Sequence, residues 1–223
     1  MRTELAIRGV IRFISGVVMV AVMLFWPAGS WGYWNAWLLM GVLFIPILVL
    51  GIVMLIHSPA LLRKRLEGKE KEQQQRWVVA LSGVMFVASF VVAGFNFRFA
   101  WATLPDWVTW IGVAIFLLSY VLYAEVIREN AYLSRTIEIQ QGQRVIDTGL
   151  YSIVRHPMYS ATILMFLSIP LILSSIISFV IMLVYIPIIA IRIKNEERIL
   201  EDGLRGYKEY KQRVKYKIIP FVW

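Results

Sequence analysis

Two short polar stretches hold most of the residues in this chain that could do chemistry. In the first, Gly149 to Tyr159, the run Arg155-His156-Pro157-Met158-Tyr159 lies between a polar segment and a long apolar one. Proline is tolerated at the first position of a helix, where its missing N–H needs no partner, so Pro157 predicts the start of the helix that carries Tyr159. Arg155 and His156 then sit at a positive helix end, a seat for an anionic group. The same residues also suit a basic turn at a membrane interface. In the second stretch Arg192 and Glu196 are four residues apart, one helical turn, with Glu197 adjacent. Such a pair also occurs as an ordinary surface ion pair. Brought together, the two stretches offer cations, a carboxylate and the rings of Tyr151 and Tyr159, a set that suits a zwitterionic ligand with a cationic centre.

The elements that must position these residues are membrane spans. The chain has 223 residues, 59% of them hydrophobic, with a mean hydropathy of +0.69. Those values belong to a polytopic membrane protein. Its formal net charge of +9 is accounted for by basic span ends and anionic headgroups, without a nucleic acid partner. There is no cysteine, which excludes disulfides and thiolate catalysis, and two histidines (His57 and His156) are too few to build a metal site. The apolar run near the N-terminus leads to Trp26-Pro27 with no evident cleavage site, so it reads as a retained span.

Apolar runs predict spans at about 10–26, 36–56, 77–95 and 107–124. Trp31, Tyr33, Trp34 and Trp37 mark an interface between the first two. A charged segment from Ser58 to Arg76 predicts a helix lying along the membrane surface. Residues 125–158 are polar, alternate around Ile137–Ile139 and turn at Gln141-Gly142. Residues 160–191 are too long for one straight span, and Ser174-Ser175 near their middle predicts a hairpin of two helices of about 15 residues each. A hairpin returns the chain to the side it left, which puts 125–159 opposite the tail from Arg192. The fold expected is therefore an all-α polytopic membrane helix bundle, four spans plus a C-terminal transmembrane hairpin. It forms one domain, 1–223, with a four-span half to residue 124 and a ligand-binding half from 125. Of the 23 Lys and Arg residues, only Arg98 falls on the far side. Both termini and the polar segments are thus expected in the cytoplasm.

Arg155-His156-Pro157-Met158-Tyr159, preceded by Gly149-Leu150-Tyr151, resembles the cofactor motif of the isoprenylcysteine carboxyl methyltransferase family. These are integral-membrane enzymes that use S-adenosylmethionine. The tail is similar to the family's C-terminal signature in Glu196-Glu197-Arg198-Ile199-Leu200, in Gly206-Tyr207-Lys208-Glu209-Tyr210, in Val214 and in Ile219-Pro220. Ser134-Arg135-Thr136 and Gln143-Arg144-Val145-Ile146 resemble it as well, so the likeness covers about 125–223. By position, the family's cofactor contacts fall on Gln143, Arg144, Val145, Ile146, Tyr151, His156, Pro157, Met158, Tyr159 and Glu196. Arg192 falls where the family places an arginine that touches substrate, and Arg192 and Arg155 are the catalytic candidates. The resemblance implies methyl transfer from S-adenosylmethionine to a lipidic or membrane-associated acceptor in the bilayer, such as a prenylcysteine-type carboxylate, without a metal. A phospholipid amine or a small thiol is the alternative acceptor. A sterol-reductase-like enzyme and a lipid-binding scaffold are the readings of other classes.

Overall fold

The computed structural model describes residues 2–59, 62–63, 66, 73–130, 132–133 and 139–223, with the side chains of residues 2 and 73–75 left aside. The helices are α1 (Arg2–Ala28), α2 (Trp34–His57), α3 (Gln73–Phe99), α4 (Asp106–Glu129), α5 (Pro157–Ile172), α6 (Ile176–Met182), α7 (Tyr185–Gly203) and α8 (Tyr207–Arg213). A 3-10 turn covers Gly149–Ser152. The described residues form no strand, only an isolated bridge between Thr103 and Ser175. Among the described residues five stretches are long and apolar enough to cross a membrane: Thr3–Ala28, Trp34–His57, Arg76–Phe99, Asp106–Glu129 and Ile176–Gly203. The last joins α6 and α7, and α5 is a shorter apolar helix. The architecture is all-α and membrane-spanning, with the four early spans and the later helical pair expected from the apolar runs.

The helices extend beyond the apolar runs at both ends, because polar flanks keep helical backbone after hydrophobicity has ended. Most of Ser58–Arg76, and Ile137 and Glu138 with Ser134, Arg135 and Thr136, lie outside the described residues, so the expected surface helix and the alternation there do too. The turn at Gln141-Gly142 is present, with Gly142 at φ +72°. The hairpin turns at Ser174, where φ is +54°. Its arms differ from two equal helices. The first is the 16-residue α5, whereas the second breaks after α6 and runs on through Arg192 to Gly203. The amphipathic spacing of 192–203 lets that helix continue into polar surroundings.

Two compact packing units alternate along the chain. The first comprises 1–68, 83–114 and 167–183. Its organising feature is the hairpin turn, whose carbonyls have lost their helical partners inside an apolar setting that cannot supply water. Side chains replace those partners. The Tyr33 hydroxyl donates to the Leu173 carbonyl at 2.6 Å, Asn35 to Ile172 at 2.9 Å and Asn96 to Ser174 at 3.3 Å. Ser89 and Ser178 pair at 2.6 Å. Close helix approach in this unit needs Gly94, where a Cβ would run into the Leu24 carbonyl.

The second unit comprises 69–82, 115–166 and 184–223. It contains both polar stretches singled out from the sequence. Pro157 is the first residue of α5, as its chemistry requires. Leu204, Tyr207, Tyr210 and Val214 form a small buried cluster, against which Ile139, Val145 and Leu200 pack.

Candidate functional site

Within the second unit a cavity of about 860 Å³, counting its open mouth, brings together the three segments that carry the candidate residues. The extended run 143–146 supplies Gln143, Arg144, Val145 and Ile146. The turn and helix start at 151–159 supply Tyr151, Arg155, His156, Met158 and Tyr159. Helix α7 supplies Arg192, Glu196 and Leu200, a stripe at intervals of four residues that faces one way. Of the residues named from the sequence as cofactor contacts or catalytic candidates, Pro157 is not on the wall. It starts the helix instead. Asn130, Tyr132, Leu133, Leu204, Tyr207 and Tyr210 also line it.

Local chemistry fixes each segment. Gly149 has φ +51°, and a Cβ there would meet the Glu129 carboxylate. That carboxylate accepts from the Leu150 N–H at 2.9 Å and so holds the start of the 3-10 turn. Asn130 donates to the Tyr151 hydroxyl at 2.9 Å. Burial pushes the Tyr151 phenol up to about 12, so it stays protonated at neutral pH. The Tyr210 hydroxyl donates to the Tyr151 carbonyl at 2.7 Å and ties α8 to the same turn. Near 143, the Gln140 N–H donates to the Gln143 side chain at 2.9 Å, and the Tyr132 hydroxyl to the Gly142 carbonyl at 3.1 Å.

The two glutamates of α7 are placed differently. Glu196 is half-buried on the cavity wall and accepts from the Tyr159 hydroxyl at 2.6 Å. Arg192 donates to that same hydroxyl through Nε at 2.9 Å. A single phenol thus stands between the cation and the carboxylate. Glu197 points behind the wall and is only 4% exposed. Its Oε1 receives Arg155 Nε at 2.7 Å and lies 3.2 Å from His156 Nε2. Lys217 Nζ is 3.5 Å from its Oε2. The anion seat expected before Pro157 is therefore filled by the chain's own Glu197.

Arg155 has further partners. Its Nη1 donates to the carbonyls of Val214 and Lys215 at 2.7 and 2.9 Å, and its N–H to the Tyr216 carbonyl at 2.9 Å. The His156 N–H donates to the Lys217 carbonyl at 2.8 Å, and Ser160 Oγ to the Ile218 carbonyl at 2.6 Å. The C-terminal segment 214–218 is in this way laced across the start of α5. Arg155 reaches the wall, but its guanidinium serves this lacing.

Sequence reasoning assigned no role to Glu197's buried cluster, to Tyr207 and Tyr210, or to Asn130 and Tyr132. Tyr207 and Tyr210 did carry a signal, an i, i+3 pair within the quoted tail motif. Asn130 and Tyr132 carried none.

Comparison with known proteins finds likenesses over part of the chain. Residues 107–205 match the family model for phospholipid methyltransferases, a family related to the isoprenylcysteine carboxyl methyltransferases. A stretch of 91 residues is 32% identical to the Delta(14)-sterol reductase TM7SF2 of Mus musculus. That alignment covers 40% of this chain and 22% of the reductase, so the chain spans only about a fifth of that relative's length.

Proposed function

We propose that the protein is an integral-membrane methyltransferase acting on a lipidic or membrane-associated acceptor, with S-adenosylmethionine as donor, a reading supported by the match of residues 107–205 to the family model for phospholipid methyltransferases. The observation that carries the reading is the cavity wall where the Tyr159 hydroxyl stands between Arg192 and Glu196. The donor set fits the proposed cofactor in chemistry. Glu196 can accept from an ammonium or from ribose hydroxyls. Tyrosine faces suit a sulfonium, and the backbone of 143–146 can read a purine edge.

When bound, S-adenosylmethionine supplies an electrophilic methyl group on a sulfonium. The chain's own task is to align the acceptor and exclude water. In this reading Arg192 orients the acceptor, and Glu196, held by Tyr159, binds the cofactor. Arg155 positions the wall through Glu197 rather than touching the ligand. A carboxylate acceptor, such as a prenylcysteine, needs no base. A phospholipid amine or a thiol must lose a proton, and Glu196 is the carboxylate on the wall that can take it.

Calorimetry on the purified protein tests this function. S-adenosylhomocysteine should bind and NADPH should not. The similarity to a sterol reductase favours a second reading, a reductase, and the reverse result would establish it. Orientation is tested separately. The distribution of basic residues supports an orientation with both termini and the cavity in the cytoplasm. The chain has no cysteine, so single replacements at the exposed Lys208 and Ser30 report without background. An impermeant maleimide applied outside intact cells should label Ser30→Cys and spare Lys208→Cys. Labelling of Lys208→Cys instead would invert the topology.

A further inference from the structure

The cavity is lined by the rings of Tyr132, Tyr151, Tyr159, Tyr207 and Tyr210. Four of their hydroxyls have protein partners: the Gly142 carbonyl for Tyr132, Asn130 for Tyr151, Glu196 and Arg192 for Tyr159, and the Tyr151 carbonyl for Tyr210. Tyr207 differs. The residue is 4% exposed, and its hydroxyl, fully buried, has no hydrogen-bond partner among the described residues. Asn195 Nδ2 is the other such atom among the described side chains, but Asn195 is not on the cavity wall.

We propose that Tyr207 is a ligand-binding residue whose hydroxyl donates a hydrogen bond to an acceptor atom of the S-adenosyl ligand held in this cavity. The inference rests on the reading of the cavity given above and adds to it a contact from beyond residue 205, where the family match ends. Packing does not explain the hydroxyl. The ring belongs to the apolar cluster of Leu204, Tyr210 and Val214, which a phenylalanine would complete equally well. A buried O–H without a partner destabilises the protein that contains it, so the group is accounted for by a partner that comes with the ligand. Burial first, then the charges of Glu197 and Glu196, raise the phenol's pKa and keep its proton on. The hydroxyl therefore keeps a proton to donate, to a ribose or carboxylate oxygen or a purine nitrogen. Gly206, at φ +87°, turns the chain immediately before Tyr207 and delivers its side chain to the wall as α8 begins.

The test is Tyr207→Phe in the full-length protein, read by two measurements that a purely structural hydroxyl would move together. Without ligand, the variant's Tm should equal or exceed that of wild type, because no protein hydrogen bond is lost. Its Kd for S-adenosylhomocysteine should rise by about threefold to tenfold, the effect of one neutral hydrogen bond. A lower ligand-free Tm overturns the proposal, since it reveals a protein partner for the hydroxyl. An unchanged Kd overturns it as well. If wild type binds and Tyr207→Phe binds equally, this inference alone fails. If wild type does not bind S-adenosylhomocysteine at all, the inference and the reading beneath it fall together.

Discussion

Replacing Glu197 with Gln is expected to lower the Tm by roughly 6–20 °C, the equivalent of about 3–5 kcal/mol for breaking a buried ion pair by removing one partner. The substitution keeps the shape and removes the charge that Arg155, His156 and Lys217 surround. Arg155 is 6% exposed and its residue neighbour His156 5%, so no water replaces the lost carboxylate. The damage should spread along the chain, because Arg155 also binds the carbonyls of Val214 and Lys215. Limited trypsin digestion should therefore cut faster after Lys215 and Lys217 in the variant. Glu4→Gln serves as the control, since it breaks the exposed one-turn pair with Arg8. Exposed pairs contribute little, and that variant should melt with wild type. A Glu197→Gln protein that melts within about 2 °C of wild type, a shift below 1 kcal/mol for a chain of this size, would show that the cluster does not hold segment 214–218 in place.

The adjacent glutamates illustrate which parts of the site can be read from sequence. A helix's period puts residues 192, 196 and 200 on one face, and the hairpin argument brings that face opposite 151–159. Both inferences need only local rules, and the structure places those side chains around one cavity. Pro157 at the first position of α5 and the turn at Ser174 are local in the same sense. The difference between Glu196 and Glu197 is not local. It depends on partners about 40 and 20 residues away, and nothing in the spacing distinguishes which of two neighbouring carboxylates meets Arg155. The role of Arg155 was obscured for the same reason. An arginine before a helix start signals an anion, and the pattern does not reveal that the anion is part of the same chain. Helix ends were the other gap. Hydrophobicity fixes where a span enters lipid, whereas α7 continues for three turns past Ile191 on amphipathic spacing.

Glu196 and Arg192 are expected to separate when each is removed. Glu196→Gln deletes the charge that accepts from Tyr159 and, in the proposed function, from the cofactor. Loss of one charged hydrogen bond costs about 1.5–3 kcal/mol, so the Kd for S-adenosylhomocysteine should rise roughly tenfold to a hundredfold. Arg192→Ala should leave that Kd nearly unchanged and lower turnover, because only alignment of the acceptor is lost. The structure adds a constraint absent from the spacing alone: both side chains meet at the Tyr159 hydroxyl. Tyr159→Phe keeps both charges and removes the bridge. If Glu196 binds the cofactor directly, Tyr159→Phe should weaken binding less than Glu196→Gln does, since the carboxylate remains available to the ligand. If the bridge itself is what binding requires, the two variants should lose affinity equally. Calorimetry with S-adenosylhomocysteine on the three variants, beside transfer of labelled methyl groups into a total lipid extract, reads both quantities. Equal loss of affinity in Arg192→Ala and Glu196→Gln would make the pair a single binding unit and remove the assigned division between acceptor and cofactor. No change of affinity in either would reduce them to a salt-bridging helix face whose contact with Tyr159 is structural.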